Sequence, residues 1–148
     1  WRIGYAAAPM DLIPPMAKIH AYMVTNATSL AQYGALEALT GPQDSVRLMR
    51  EEFEKRRDFV LKEIGSMPAL RCNKPKGAFY VLLDVFGTGM TGEEFVSFMI
   101  AHGVAMVPGT AFGDSGKYLV RLSYAASMDA LKESMRRMRT ALETLTEK

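Results

Sequence analysis

Of the residues able to do chemistry, Arg121 has the most telling setting. It lies in KYLVRLSYA, Lys117–Ala125. Alternation along that stretch puts Tyr118, Val120, Leu122 and Tyr124 on one face of a strand, and Leu119, Arg121, Ser123 and Ala125 on the other. A guanidinium among small and apolar neighbours needs a carboxylate, a phosphate or water to satisfy its donors. The plain alternative is a solvated face on which Arg121 is an ordinary surface residue. Pro108–Gly113, PGTAFG, is a glycine-rich loop leading into this strand. His20 and His102 have no cysteine or carboxylate at ligand spacing, so no metal site follows from them. His102, near the end of a predicted helix, suits the helix dipole instead. Asp84 reads as a turn former, and Tyr80 and Phe112 read as packing aromatics.

The elements that must position Arg121 can be read from pattern and punctuation. Trp1–Ala8 predicts a short buried strand, which Pro9 ends because proline cannot donate to a ladder. Asp11–Val24 predicts a helix, with Pro14 and Pro15 in its first turn and Ile19, Tyr22 and Met23 on an apolar stripe. A second helix, Leu30–Leu39, carries Leu30, Tyr33, Leu36 and Leu39 at helical spacing. Gly41-Pro42 breaks it. A long helix then starts at Asp44 or Ser45, with Val46, Met49, Phe53, Val60 and Ile64 as its buried face and Gly65 at its C-terminal end. The charges on its other side, Arg47 to Arg57, interleave both signs and describe a solvated face.

Downstream, Leu70–Asn73 predicts an edge strand and Ala78–Val85 the most apolar strand of the chain. Thr91 and Glu94 form a capping box for a helix running to His102, with Phe95, Met99 and Phe98 on its buried side. Val104–Val107 predicts a short strand. Ser127 caps a final helix in which Leu131, Met135, Met138, Leu142 and Leu145 step by helical intervals. From residue 45 onward the order predicts a two-layer α+β domain, helices on a small, largely antiparallel sheet. Residues 1–44 hold one predicted strand and two helices, too little to enclose a core, and read as the end of another domain.

Composition narrows the function classes. The 148 residues are 49% hydrophobic and 23% charged, as in a soluble globular chain without a disorder signature. A net charge of +2, with no basic stripe, gives no electrostatic case for nucleic acid or a membrane as partner. Cys72 is the only cysteine. It excludes an intrachain disulfide and a thiolate zinc cluster, and it favours a reducing, cytoplasmic location. The chain opens without Met inside a predicted strand, so it is expected to be a piece of a longer protein.

Several stretches together carry a resemblance: WRIGYAAAP at the start, NATSLAQYGALEAL at Asn26–Leu39, KGAFYVLLDV at Lys76–Val85, GVAMVPGTAFG at Gly103–Gly113 and YLVRLSYA at Tyr118–Ala125. In this order and spacing the chain resembles the C-terminal part of fold-type I, class I/II pyridoxal-phosphate-dependent aminotransferases of the aspartate aminotransferase kind. The resemblance implies that residues 1–44 are the last strand and helices of the large α/β, cofactor-binding domain, and that residues 45–148 are the small domain. It also implies that Arg2 binds the cofactor phosphate, a role suited to a permanently charged group with paired donors. Arg121 would grip the substrate α-carboxylate, which positions the substrate rather than breaking a bond. Thr28, in the NATS stretch, becomes a specificity candidate near the active site of a partner subunit. No arginine lies in Asn26–Gln32, so nothing there argues for a second clamp.

The resemblance puts the lysine that forms the Schiff base with pyridoxal phosphate upstream of Arg2, along with the residues that hold the pyridine nitrogen and the cofactor hydroxyl. Lys18, Lys62, Lys74, Lys76 and Lys117 do not occupy that position and read as surface lysines. The expectation is therefore an enzyme that moves an amino group between an amino acid and a 2-keto acid as a homodimer, and no transamination by this chain alone. The alternative is a non-catalytic amino- or keto-acid-binding or regulatory domain of the same fold.

Overall fold

The computed structural model describes residues 2–146. By internal contacts the chain forms two compact units, residues 1–47 and 48–148.

The first unit contains α1 (Ile13–Val24) and α2 (Ser29–Thr40). Pro14 and Pro15 occupy the first turn of α1, where amides have no intrahelical partner. Residues 2–9 form no strand, contrary to the sequence expectation; Trp1 lies outside the described residues. A strand exists only where a neighbour takes its N–H and C=O groups, and no described residue pairs with this segment. The apolar stripes expected on both helices are present but uncovered. Ile19, Tyr22, Met23, Leu30, Tyr33, Leu36 and Leu39 are all exposed, and Ala31 is the buried residue of this unit.

Helix α3 (Asp44–Gly65) follows the extended Gly41 that Pro42 requires. Its expected face is only partly buried. Val60 and Ile64 are inside and Phe53 packs at the rim, whereas Val46 and Met49 are exposed. The core of the second unit reaches no further up α3 than Phe53.

The second unit has β1 (Arg71–Cys72), β2 (Tyr80–Asp84), α4 (Gly92–Ala101), β3 (Val107–Pro108), β4 (Leu119–Ser123) and α5 (Met128–Thr146). The strands make one antiparallel sheet in the order β1-β2-β4-β3. Val81 and Leu83 of β2 and Val120 and Leu122 of β4 point into a single hydrophobic cluster. They meet Val60 and Ile64 of α3, Phe95 and Met99 of α4, and Leu131, Met135 and Met138 of α5. Helices lie against one face of the sheet, the two-layer α+β arrangement. The strand expected at Val104–Val107 is found only at Val107–Pro108, where Val107 pairs with Arg121 and Pro108 with Val120, and residues 104–106 find no ladder partner.

The helix ends are built as the sequence implies. Thr91 and Glu94 make a reciprocal capping box, with the Thr91 amide donating to Glu94 Oε2 at 2.8 Å. That hydrogen bond, with a second from the Thr91 hydroxyl, holds the Glu94 carboxyl below its usual range. Ser127 Oγ accepts from the Ala130 amide at the start of α5. Asp84 Oδ1 accepts from the Phe86 amide and turns the chain after β2. His102 closes α4 with Nδ1 2.8 Å from the Phe98 carbonyl. Arg139 of α5 donates to Glu63 of α3, tying the two helices over the core.

Candidate functional site

Because Val120 and Leu122 are drawn into the core, Arg121 between them must face the opposite side of the sheet. It stands opposite Leu82 on β2 and Val107 on β3. Tyr80 is its diagonal neighbour on the same face, a position from which an aromatic ring can reach across. The Arg121 guanidinium carbon lies 4.3 Å from the centroid of the Tyr80 ring and 4.7 Å from that of Phe112. Among the described residues no carboxylate pairs with Arg121, and its N–H groups donate no hydrogen bond.

Arg121 opens into a cleft of about 610 Å³, with Pro75, Tyr80, Leu82, Phe112 and Leu119 as apolar walls and Asn73 and Ser115 as polar members. No acidic residue and no lysine lines it. A lone cation on apolar walls has the chemistry to meet a small anion, since its donors have no competing partner among the described residues.

Two local devices hold the rim. On one side, short 3₁₀ turns at Gly109–Phe112 and Asp114–Gly116 fold the glycine-rich loop back on itself. The backbones of Gly109 and Gly116 press together so closely that a Cβ on either would run into the other's carbonyl. Gly113 joins the turns at φ 134°, a conformation open to glycine. Thr110 Oγ1 donates to Glu93 Oε1 at 2.9 Å, fastening the loop to the first turn of α4. On the other side, buried Tyr124 donates its hydroxyl to the Ala78 carbonyl at 3.0 Å, and its amide donates to the Phe79 carbonyl at 2.9 Å. Burial raises the Tyr124 phenol, which keeps it a neutral donor. The turn before β2 is thereby tied to β4, the strand that carries Arg121.

The other two site residues that the resemblance implies, Arg2 and Thr28, lie in the first unit. Arg2 is exposed, has φ 60° and makes no ion pair with a described residue. Thr28 precedes α2 as an exposed N-cap residue whose side chain makes no capping hydrogen bond. The alternation of β4 put Arg121 on this face of the sheet, and the family resemblance supplied its expected role. Tyr80 and Phe112 were read mainly as packing aromatics, and the structure sets both against its guanidinium. Only the pairing register, Tyr80 opposite Ser123 and Leu82 opposite Arg121, could have shown the first contact. Asn73 and Ser115 gave no signal. Among the described residues no cluster of His, Cys, Asp and Glu could hold a metal ion, and no helix is long and apolar enough to cross a membrane. Partial burial raises the Cys72 thiol, which disfavours the thiolate.

The family model of aminotransferase class I and II matches residues 1–140. The chain belongs to this family. Among its relatives, an aspartate aminotransferase of Pyrococcus horikoshii is 41% identical over 146 residues, covering 97% of this chain and 37% of that protein. A probable N-acetyl-LL-diaminopimelate aminotransferase of Bacillus subtilis is 42% identical over 139 residues, covering 93% and 35%. The crystal structure of an aromatic aminotransferase from Pyrococcus horikoshii matches with a TM-score of 0.87 at 39% identity, over 99% of this chain and 39% of that one. This aminotransferase-family chain therefore spans under two fifths of the length of these relatives.

Proposed function

We propose that the chain is the C-terminal portion of a pyridoxal-phosphate-dependent aminotransferase that moves an amino group between an amino acid and a 2-keto acid. The observation that carries this reading is Arg121, an arginine without an internal partner, facing a cleft with apolar walls in a chain of this family. Its role is to bind the substrate α-carboxylate and set the orientation of the Cα–H bond.

The cofactor reading rests on Arg2. An exposed guanidinium that makes no ion pair among the described residues fits a phosphate, which it can meet with paired donors. Pyridoxal phosphate, when bound, supplies the electron sink that lets a Cα–H proton leave. The part of this chain is to hold the phosphate at Arg2 and the substrate carboxylate at Arg121. Thr28, with its hydroxyl uncommitted to capping, is a candidate for contact with the substrate side chain across a subunit boundary.

The relatives' names put aspartate and aromatic amino acids first among donors to try, with 2-keto acids as acceptors. A homodimer with a preceding large domain is supported by the uncovered apolar stripes of α1 and α2, which in water call for partners. Residues 1–44 are the end of that large domain in this reading, and residues 45–148 the small one. A single, partly buried thiol suits the cytoplasm.

The test is amino transfer by the full-length protein, wild type against Arg121→Met, with an aspartate and aromatic donor panel. Loss of a charge-assisted hydrogen-bonding group worth about 3 kcal/mol should lower kcat/KM by roughly a hundredfold. A variant that transfers amino groups at the wild-type rate would refute the carboxylate role.

A further inference from the structure

Arg121 is supported by aromatic rings alone among the described residues. It has no hydrogen bond or ion pair to any described residue, and two rings from different elements lie against its guanidinium. Tyr80 comes from β2, and Phe112 from the 3₁₀ turn that the Gly109–Gly116 contact pins in place.

The physical consequence concerns geometry and donors together. An arginine side chain has many rotamers, and fixing them is a main cost of using it as a clamp. A carboxylate or carbonyl that held it would also occupy N–H groups that the ligand needs. Aromatic rings attract the guanidinium through its charge and its plane, and leave the N–H groups at its edge unspent.

We propose that Tyr80 and Phe112 are positioning residues for substrate binding: their rings hold the Arg121 guanidinium in the plane that meets a carboxylate with two parallel hydrogen bonds. The proposal rests on the reading of Arg121 as the carboxylate clamp and adds the groups that orient it. Phe112 supports the assignment by its exposure. At 58% exposed it contributes little to the core, yet the loop that carries it is among the most tightly built parts of the chain. Replacing it should leave the fold intact.

The experiment uses the full-length protein, labelled with ¹⁵N. Two probes of matched shape are titrated, 3-phenylpropionate and its neutral amide. The Arg121 Nε–Hε signal, assigned by its disappearance in Arg121→Met, is followed as a spectroscopic signature. In the wild type that signal should be displaced by ring currents, and the carboxylate should be preferred over the amide by about tenfold or more. Tyr80→Leu and Phe112→Leu should each return the signal toward the random-coil position and lower the preference severalfold, with amide affinity unchanged. Tyr80→Phe and Phe112→Tyr, which keep a ring, should restore both.

The failures are separable. A wild-type chain that shows the ring-current shift but no preference for the carboxylate sinks the clamp reading of Arg121, and the proposal with it. Leucine variants that keep the full preference beside an intact wild-type preference overturn the positioning role alone. An unshifted wild-type signal also overturns it, because the rings would then not hold the guanidinium.

Discussion

Gly116→Ala should dismantle the rim of the Arg121 cleft without removing any group that touches the arginine. A Cβ on Gly116 would meet the oxygen, carbon and Cα of Gly109. These are backbone atoms of the other 3₁₀ turn and cannot swing aside as a flexible side chain could. Gly116 does not sit at positive φ, so alanine can adopt its conformation and the cost is steric alone. Overpacking costs about 1–3 kcal/mol. Backbone against backbone puts this case at the upper end, about 3 kcal/mol. At a denaturant slope of about 2 kcal/mol per molar urea, the unfolding midpoint should fall by roughly 1.5 M.

Two further glycines separate sterics from conformation. Gly113 has open space around it but φ 134°, so Gly113→Ala should cost about 1–3 kcal/mol through backbone strain. Gly65, the last residue of α3, has open space and no positive φ. Gly65→Ala should stabilise by up to about 1 kcal/mol, because alanine has less freedom to lose on folding. Urea unfolding followed by circular dichroism measures all three. A Gly116→Ala midpoint within 0.2 M of wild type (roughly 0.4 kcal/mol at that slope) would refute the close backbone packing on which the placement of Phe112 depends.

The remaining predictions are briefer. Thr91→Ala removes the side-chain half of the capping box of α4, the bond the Thr91 hydroxyl accepts from the Glu94 amide, while the residue-91 amide can still donate to Glu94; it should cost about 1 kcal/mol, with faster amide exchange at Glu94, and unchanged exchange would count against the cap. Glu133 is held at about 2, from an ordinary value of 4.5, by hydrogen bonds from Arg136 and then Arg137. Its folded pKa lies below its unfolded one, so its stabilising effect is complete above roughly pH 4.5 and is lost as pH falls toward 2. The stability difference between wild type and Glu133→Gln should therefore be present at neutral pH and vanish near pH 2, and a difference that does not change with pH would contradict the pairing. The 148-residue chain alone should not catalyse transamination with added pyridoxal phosphate, since none of Lys18, Lys62, Lys74, Lys76 and Lys117 occupies the motif position of the Schiff-base lysine; measurable turnover in a coupled keto-acid assay would overturn that expectation.

How far the fold can be read from the sequence depends on where each element finds its partner. The second unit was legible because its elements bury against one another. The alternation at Leu119–Ser123 placed Val120 and Leu122 inside, and the stepping of Leu131, Met135 and Met138 marked the face of α5 that meets them. The capping box at Thr91 is a local interaction and needs nothing distant. The first unit shows the reverse. Its stripes at Ile19, Tyr22, Leu30 and Tyr33 have the helical period of buried faces, and the helices form, yet the faces remain open. A hydrophobic period reports that a face wants covering; it does not say what covers it. The same limit explains residues 2–9, whose strand composition requires a ladder partner that no described residue provides.

At the site, the boundary between legible and illegible falls within single contacts. The face that Arg121 occupies follows from period two and from the apolar residues on either side of it. Its neighbours do not follow from any local rule, because Tyr80 reaches it by strand register and Phe112 by the fold of a glycine-rich loop. A glycine-rich loop reads in sequence as a place of freedom. Here Gly109 and Gly116 are glycines because their backbones touch, and the loop is held rather than loose. The orientation of the arginine thus depends on two residues that carry no side chain at all, which is why the Gly116→Ala variant tests the site as directly as replacing an aromatic ring.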